Sequence, residues 1–426
     1  MMHQEQASAT SQSQALDLPP PSPGEDTPFL GDAQNPPLSS QPRTFANVFI
    51  AVVGAGVLGL PYCFKRTGWI MGVLMIFFVA DLAYHCMMLL VHTRRKLESM
   101  SEIPKITSFG DLGFAACGPI GRTVVDLMVL LSQLGFCVSY LIFIADTLAN
   151  LYLGSNIWGI SSASLCIWGC FPFQLGLNSI KTLTHLAPLS IFADVVDLGA
   201  MAIVMCEELG IIVKKMPNVR AFAGPSMFFY GMGLAVYSFE GIGMVLPLES
   251  EAKDKSKFRG ILAISMAFIA LMYAGFGALG YFAFGEDVKD IITSNFGKGF
   301  ISSVVQLGLC INLLFTFPLM MNPVYEIIER RFHDGNYCIW SRWLLVLTVI
   351  LIALMIPNFA DFLSLVGSSV CCGLSFVLPT VFHLIAFNGE ISRIEWNCDV
   401  GIAVLGVVLG ISGTWYALAE IFMVKA

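Results

Sequence analysis

Charge is the scarcest property of this sequence. Only 12% of its 426 residues are charged, about half of the roughly 25% usual in a soluble domain. With 56% hydrophobic residues, that scarcity excludes an ordinary soluble globular protein. A net charge of -7, with no basic stripe interleaved with aromatics, excludes a nucleic-acid partner. No H-E-x-x-H, G-x-S-x-G or similar nucleophile-base motif occurs, so an enzyme is not expected. The twelve cysteines lack metal-ligand spacing, and Cys371 and Cys372 are adjacent, which suits neither zinc nor an ordinary disulfide. Neither a metal nor another cofactor is expected. There is no basic-then-apolar leader, so the first spanning helix is expected to act as the insertion signal.

Long apolar runs are abundant. About eleven windows approach the roughly 20 residues that cross about 30 Å of hydrocarbon: Thr44 to Phe64, Trp69 to His92, Val124 to Leu151, Ser161 to Leu177, Leu183 to Ile212, Pro225 to Leu248, Gly260 to Phe284, Ile301 to Ile328, Trp343 to Ile356, Phe362 to Ala386 and Val400 to Phe422. The fold class is therefore all-α and polytopic. Residues 1–43, rich in Gln, Ser and Pro, bury too little to fold and read as a disordered tail. Within it, Glu25-Asp-Thr-Pro-Phe-Leu30 is a candidate acidic sorting signal for an adaptor. Of the 23 lysines and arginines, fifteen fall on the N-terminal side of the membrane and eight on the other, which favours a cytosolic N-terminus.

Two of these runs contain residues that do not sustain a helix. Gly54-Ala-Gly-Val-Leu-Gly-Leu-Pro61 holds three glycines and a proline, at about 1 and 3 kcal/mol per residue against a helix interior. Tyr237-Ser-Phe-Glu-Gly-Ile-Gly-Met-Val-Leu-Pro247 repeats the pattern in the sixth window. Counting about 1.5 Å per residue, both breaks fall near the midplane, in spans of opposite direction. Non-helical backbone at that depth is tolerated where it lines a cavity or lies buried in protein. Paired breaks in two halves are the sequence sign of an inverted-repeat transporter, with repeats at about 44–213 and 225–387 and an extra helix at about 400–422.

Freed amides around Gly54, Ala55, Gly56 and Val57 suit a carboxylate. Carbonyls freed around Tyr237 and Ser238, flanked by Phe239 and Gly241, suit an ammonium group. Together they suit a zwitterion, the form of a free amino acid. Two plainer readings compete. Gly54-x-Gly-x-x-Gly59 matches a dinucleotide fingerprint but lacks its βαβ setting, and small residues also serve close helix packing.

The two motifs resemble those of the first and sixth helices in the amino acid/auxin permease family, especially its proton-coupled branch. Tyr281-Phe-Ala-Phe-Gly285, Phe315-Thr-Phe-Pro-Leu319, Asn322-Pro323, Asp361-Phe-Leu-Ser-Leu-Val-Gly367 and Leu378-Pro379 are similar to later family signatures. The resemblance implies a LeuT-type 5+5 inverted repeat plus one helix, and secondary transport of amino acids driven by protons. It is nearest to a plant vacuolar group that releases neutral amino acids to the cytosol. A vacuolar or lysosomal membrane is therefore expected, with the plasma membrane as alternative. One departure matters: Asn47 stands where proton-coupled animal relatives carry histidine. An amino acid sensor signalling through the N-terminal tail is the alternative function.

Ionisable residues inside a span are functional candidates by default. Glu240 lies in the second break. Asp194 and Asp197, three apart, share a helix face, as do Asp81 and His85, four apart; both pairs are candidate proton relays, or else polar contacts between packed helices. Tyr140 in the third span matches, by the resemblance, a tyrosine near the ligand. Asn312 and Thr316 in the eighth are weaker candidates for an ion site.

Overall fold

The structure, a computed structural model, describes residues 39–100, 106–153, 156–157, 160–181, 187–214, 217–297, 299–356 and 358–423. The candidate sorting signal at Glu25 to Leu30 lies outside the described residues. What is described is helical almost throughout. Two strands of two residues each, Asn156–Ile157 and Ile160–Ser161, form a small antiparallel pair in one loop.

The first apolar run becomes two helices. α1 covers Gln41–Val52, with Pro42 in its first turn, where a missing N–H costs nothing. It begins ahead of the expected Thr44, and Ser39 already exchanges backbone hydrogen bonds with the segment after the sixth run, through Glu251 O at 2.8 Å and Lys253 N at 3.1 Å. Val53 and Gly54 are extended, Ala55–Gly59 forms a 3₁₀ turn, and α2 covers Leu60–Thr67. The two halves meet at 53°. Gly68 follows with φ +90°, and a Cβ there would collide with the Ala221 carbonyl, so glycine is required.

α3 covers Trp69–Met100 and α4 Phe109–Leu148. α4 starts fifteen residues before the expected Val124, because Ser108 and Asp111 form a capping box. Gly118, with φ +65° just before Pro119, kinks it. The glycines of this stretch conceal a helix that the hydropathy pattern misses. α5 covers Ser162–Asn178, α6 Ala187–Lys214, α7 Pro225–Ser238, α8 Val245–Glu251 and α9 Phe258–Phe284. α10 covers Phe300–Phe332, α11 Ile339–Met355, α12 Phe359–Val366, α13 Leu378–Ala386 and α14 Arg393–Met423. Between α12 and α13 the backbone winds into wide π turns over Gly367–Cys371 and Gly373–Val377.

Each of the expected windows holds helix. Among the described residues, seven helices are long and apolar enough to cross a membrane, or eight if the bent α1–α2 pair is one span. α5 and α11 have 17 residues each, about 25 Å at 1.5 Å per residue, which is short of a full crossing. α6 carries Asp194, Asp197, Glu207 and Glu208 and is not among the seven.

α3 packs on α9, and α10 on α4 and α6, while α7 packs on α12, the first π turn and α14. Buried polar bonds fix the last of these contacts. The Tyr230 hydroxyl donates to Asp361 Oδ1 at 2.7 Å, and Ser364 Oγ donates to the Tyr230 carbonyl at 2.7 Å. In the loop after α9, Asp290 accepts the Phe359 amide N–H at 3.1 Å. Burial pushes its carboxyl above the ordinary carboxylate range.

Candidate functional site between the two breaks

The second break mirrors the order of the first: α7, an irregular stretch over Phe239, Glu240 and Gly241, a 3₁₀ turn at Ile242–Met244, then α8. The two irregular stretches face one another. A Cβ added to Gly56 would lie 3.0 Å from Ser238 Cα and 3.0 Å from Tyr237 Cδ1, and one added to Gly241 would lie 3.0 Å from the Ala51 carbonyl oxygen. Glycine at 56 and 241 thus lets the two backbones meet. Gly54 differs, because nothing comes within 4 Å of a Cβ there. Space begins at Gly54, while Gly56 closes against α7.

Tyr273 of α9 ties the two breaks together. Its buried hydroxyl reaches the Val52 carbonyl at 3.4 Å and the Ser238 carbonyl at 3.2 Å. One hydroxyl therefore serves a carbonyl freed on each side. Phe239 packs on the Tyr273 ring with centroids 5.0 Å apart. Across the site, the Tyr237 hydroxyl shares a 2.6 Å hydrogen bond with Ser139 Oγ, and Phe136 meets the Tyr237 ring edge-on at 5.0 Å. Ala55, Val57 and Tyr140 are buried, and Tyr140 lies near Tyr237.

Glu240 is half-buried, and its Oε2 accepts a 2.6 Å hydrogen bond from Ser375 Oγ in the second π turn. The carboxyl thereby joins the second break to the segment between α12 and α13. Turns of this wide kind recur at functional sites because they re-aim side chains and backbone.

Other candidates fall in varied places. Asp197 is half-buried on α6, which packs on α9, the helix of Tyr273. The side chain of Asp194 is outside the described residues. Asp81 is exposed on α3, His85 is half-buried with Nε2 unpartnered, and no hydrogen bond joins the two. Thr316 Oγ1 donates to Asn312 Oδ1 at 2.9 Å, so these two α10 residues satisfy each other. A cavity of about 370 Å³ opens at the loop between α13 and α14 and is lined by none of these residues.

Sequence reasoning missed Tyr273, Ser375 and Glu208. A lone tyrosine in an apolar helix carries no distinguishing signal, and Ser375 acquires its role only through the π turn. Glu208 was legible in principle as an acid inside an apolar window.

The profile of the family described as transmembrane amino acid transporter protein matches residues 38–419. This chain belongs to the transmembrane amino acid transporter family. Its relatives include the amino acid transporter AVT3C of Arabidopsis thaliana, 66% identical over 99% of this chain and 99% of the relative. AVT3B of the same plant is 67% identical over 93% of this chain and 97% of its own length, and AVT3A is 61% identical over 95% and 94%. As a member of the transmembrane amino acid transporter family, the protein is a transporter and not an enzyme. The match takes in both breaks and every helix from α1 to α13 in full.

Proposed function

We propose that this protein is a secondary carrier of neutral amino acids with a LeuT-type fold: eleven crossings, two inverted five-helix repeats and α14 appended. The observation that carries this reading is the meeting of the two breaks, bridged by Tyr273 at 3.4 and 3.2 Å. The substrate carboxylate lies over the backbone of Gly54, Ala55 and Gly56, where space opens beside Gly54. The substrate ammonium lies toward the carbonyls of Ser238, which it shares with Tyr273, and of Tyr237, which also accepts the Glu240 N–H at 3.2 Å. Alternating access then follows if α2 and α7 part on one face of the membrane and α1 and α8 on the other.

Transport runs from the lumen of the vacuole to the cytosol with protons, the N-terminus being cytosolic. Fifteen of 23 basic residues on the N-terminal side support that orientation. The test is uptake of labelled amino acids by proteoliposomes holding the full chain, with internal pH followed by a dye. Amino-acid-dependent proton movement is expected; neither uptake nor acidification across the common amino acids would remove the reading.

One observation favours a second reading, that of a sensor. Ser39 pairs with the backbone around Ala252, directly after α8, so movement of α8 is felt where the N-terminal segment begins. Deleting residues 1–38 separates the two: a carrier keeps its flux, whereas a sensor loses its cytosolic partner.

A further inference from the structure

α6 carries a buried acid that neither break uses. Glu208 has no solvent exposure, and neither of its carboxyl oxygens has a hydrogen-bond partner among the described residues. Glycine explains its position. A Cβ added to Gly280 of α9 would lie 2.9 Å from Glu208 Oε1 and 2.6 Å from Pro61 Cγ, so the carboxyl and the proline ring share one notch. Pro61 is in the first turn of α2, the half-helix beyond the first break. One turn on, Phe64 fills a second notch: a Cβ at Gly277 would lie 2.6 Å from its ring, and one at Gly72 would lie 2.8 Å from it. The seat of α2 on α9 is therefore a row of apolar contacts with one carboxyl at its edge.

The charged and titratable groups around this seat are engaged elsewhere. On α2, Lys65 Nζ donates to the Val288 carbonyl at 2.9 Å, Arg66 pairs with Glu420 at 2.6 Å, and Tyr62 lies under both cations. On α9, Tyr273 serves the breaks, and Tyr281 donates to Glu286 at 3.2 Å. Glu207 on α6 faces Thr293, Ser302 and Gln306 on the α10 side. Among the described residues no ion pair or hydrogen bond reaches the Glu208 carboxyl.

A carboxylate with both oxygens bare is costly in such surroundings, whereas the neutral acid is far less so. Charging Glu208 in place therefore opposes the seated position of α2, and water reaches the carboxylate most directly if α2 lifts from α9. Resting on the carrier reading above, we propose that Glu208 is the proton-binding site of this transporter: a proton from the lumenal side neutralises it and permits α2 to seat on α9. The step is a simple protonation, carboxylate plus H⁺ to carboxylic acid; the proton leaves toward the cytosol while α1 and α8 are parted, and the recharged carboxylate then favours the lifting of α2 that resets the carrier. Glu208 acts through α2 and touches no substrate, so it is a positioning residue.

The test compares wild type, Glu208→Gln and Glu208→Asp as full chains in proteoliposomes, with a labelled mixture of the common amino acids. For one coupled proton, a gradient of about one pH unit is worth about tenfold in accumulation. The wild type should show that gain, and Glu208→Gln should lose it while retaining measurable exchange at a rate independent of lumenal pH. Glu208→Asp should restore part of the gain with a displaced pH profile. Infrared difference spectra on a pH step should show a carboxylic C=O band that Glu208→Gln lacks, which a packing role would not require. Gradient-driven accumulation by Glu208→Gln, or uptake by wild type that ignores the gradient, overturns the assignment and leaves the carrier intact. No uptake by wild type removes both. If Glu208→Gln fails to fold, the Asp variant decides: a pH profile identical to wild type overturns the assignment.

Discussion

The two breaks share a helix, 3₁₀ turn, helix order but are held in opposite ways. In the first, the halves bend by 53° and the second half, α2, is seated on α9 by apolar contact, Phe64 lying against Gly72 and Gly277, while its ion pair, Arg66 with Glu420 at 2.6 Å, is made to α14 and is only partly buried. In the second, α7 and α8 together pass as one span, and α8 is fastened by charge. Glu249, fully buried, pairs with the buried Arg94 and with Arg95, the latter at 2.7 Å, while Arg94 also donates to the Leu246 carbonyl at 3.0 Å. Apolar contact is non-directional and lets a helix slide or lift, whereas a buried ion pair holds until both charges find other partners. The difference teaches that α2 is suited to gradual motion and α8 to a two-position latch.

The largest expected effect breaks the charged side of that comparison. Glu249→Gln leaves Arg94 buried without its carboxylate, which costs about 3–5 kcal/mol. A lowered midpoint of thermal unfolding in detergent checks it, and an unchanged midpoint would show that α8 is not latched by charge. Next comes Gly56→Leu, which drives a side chain into the Ser238 backbone. Overpacking of this kind costs about 1–3 kcal/mol, and uptake should vanish while the protein still inserts. Tyr273→Phe orphans two carbonyls at once and should cost about 1 kcal/mol, read as slower exchange. If exchange is unchanged, Tyr273 does not couple the breaks.

The smallest effect on stability belongs to Gly54→Ala. With open space around it and an extended backbone, the change should stay within about 0.5 kcal/mol. It should nevertheless weaken substrate affinity, because the added methyl enters the space assigned to the carboxylate. Unchanged affinity would move the substrate away from Gly54 and leave Gly56 with a packing role alone.

Both breaks were legible in the sequence, because glycine and proline within an apolar run conflict with helix whatever surrounds them. Glu240 was legible for a related reason, as a charge where hydrocarbon is expected. What could not be read was partnership. Ser375 and Glu240 are 135 residues apart in the chain, and Tyr273 reaches both Val52 and Ser238 only because α9 crosses behind the breaks. Asp81 and His85 have the spacing of a pair, yet Asp81 faces outward, since helical spacing brings two residues to one side without saying which way that side points.

The sequence by itself determined that this is a membrane protein with helices interrupted at two glycine-rich places. Local chemistry suffices for that, because hydropathy and helix propensity act residue by residue. Only the tertiary structure decided that Gly54 opens on space while Gly56 closes on Ser238. It also decided that Glu208 lies bare in the seat of α2. Those outcomes depend on which helix passes within contact distance, and that is fixed by packing across the whole bundle.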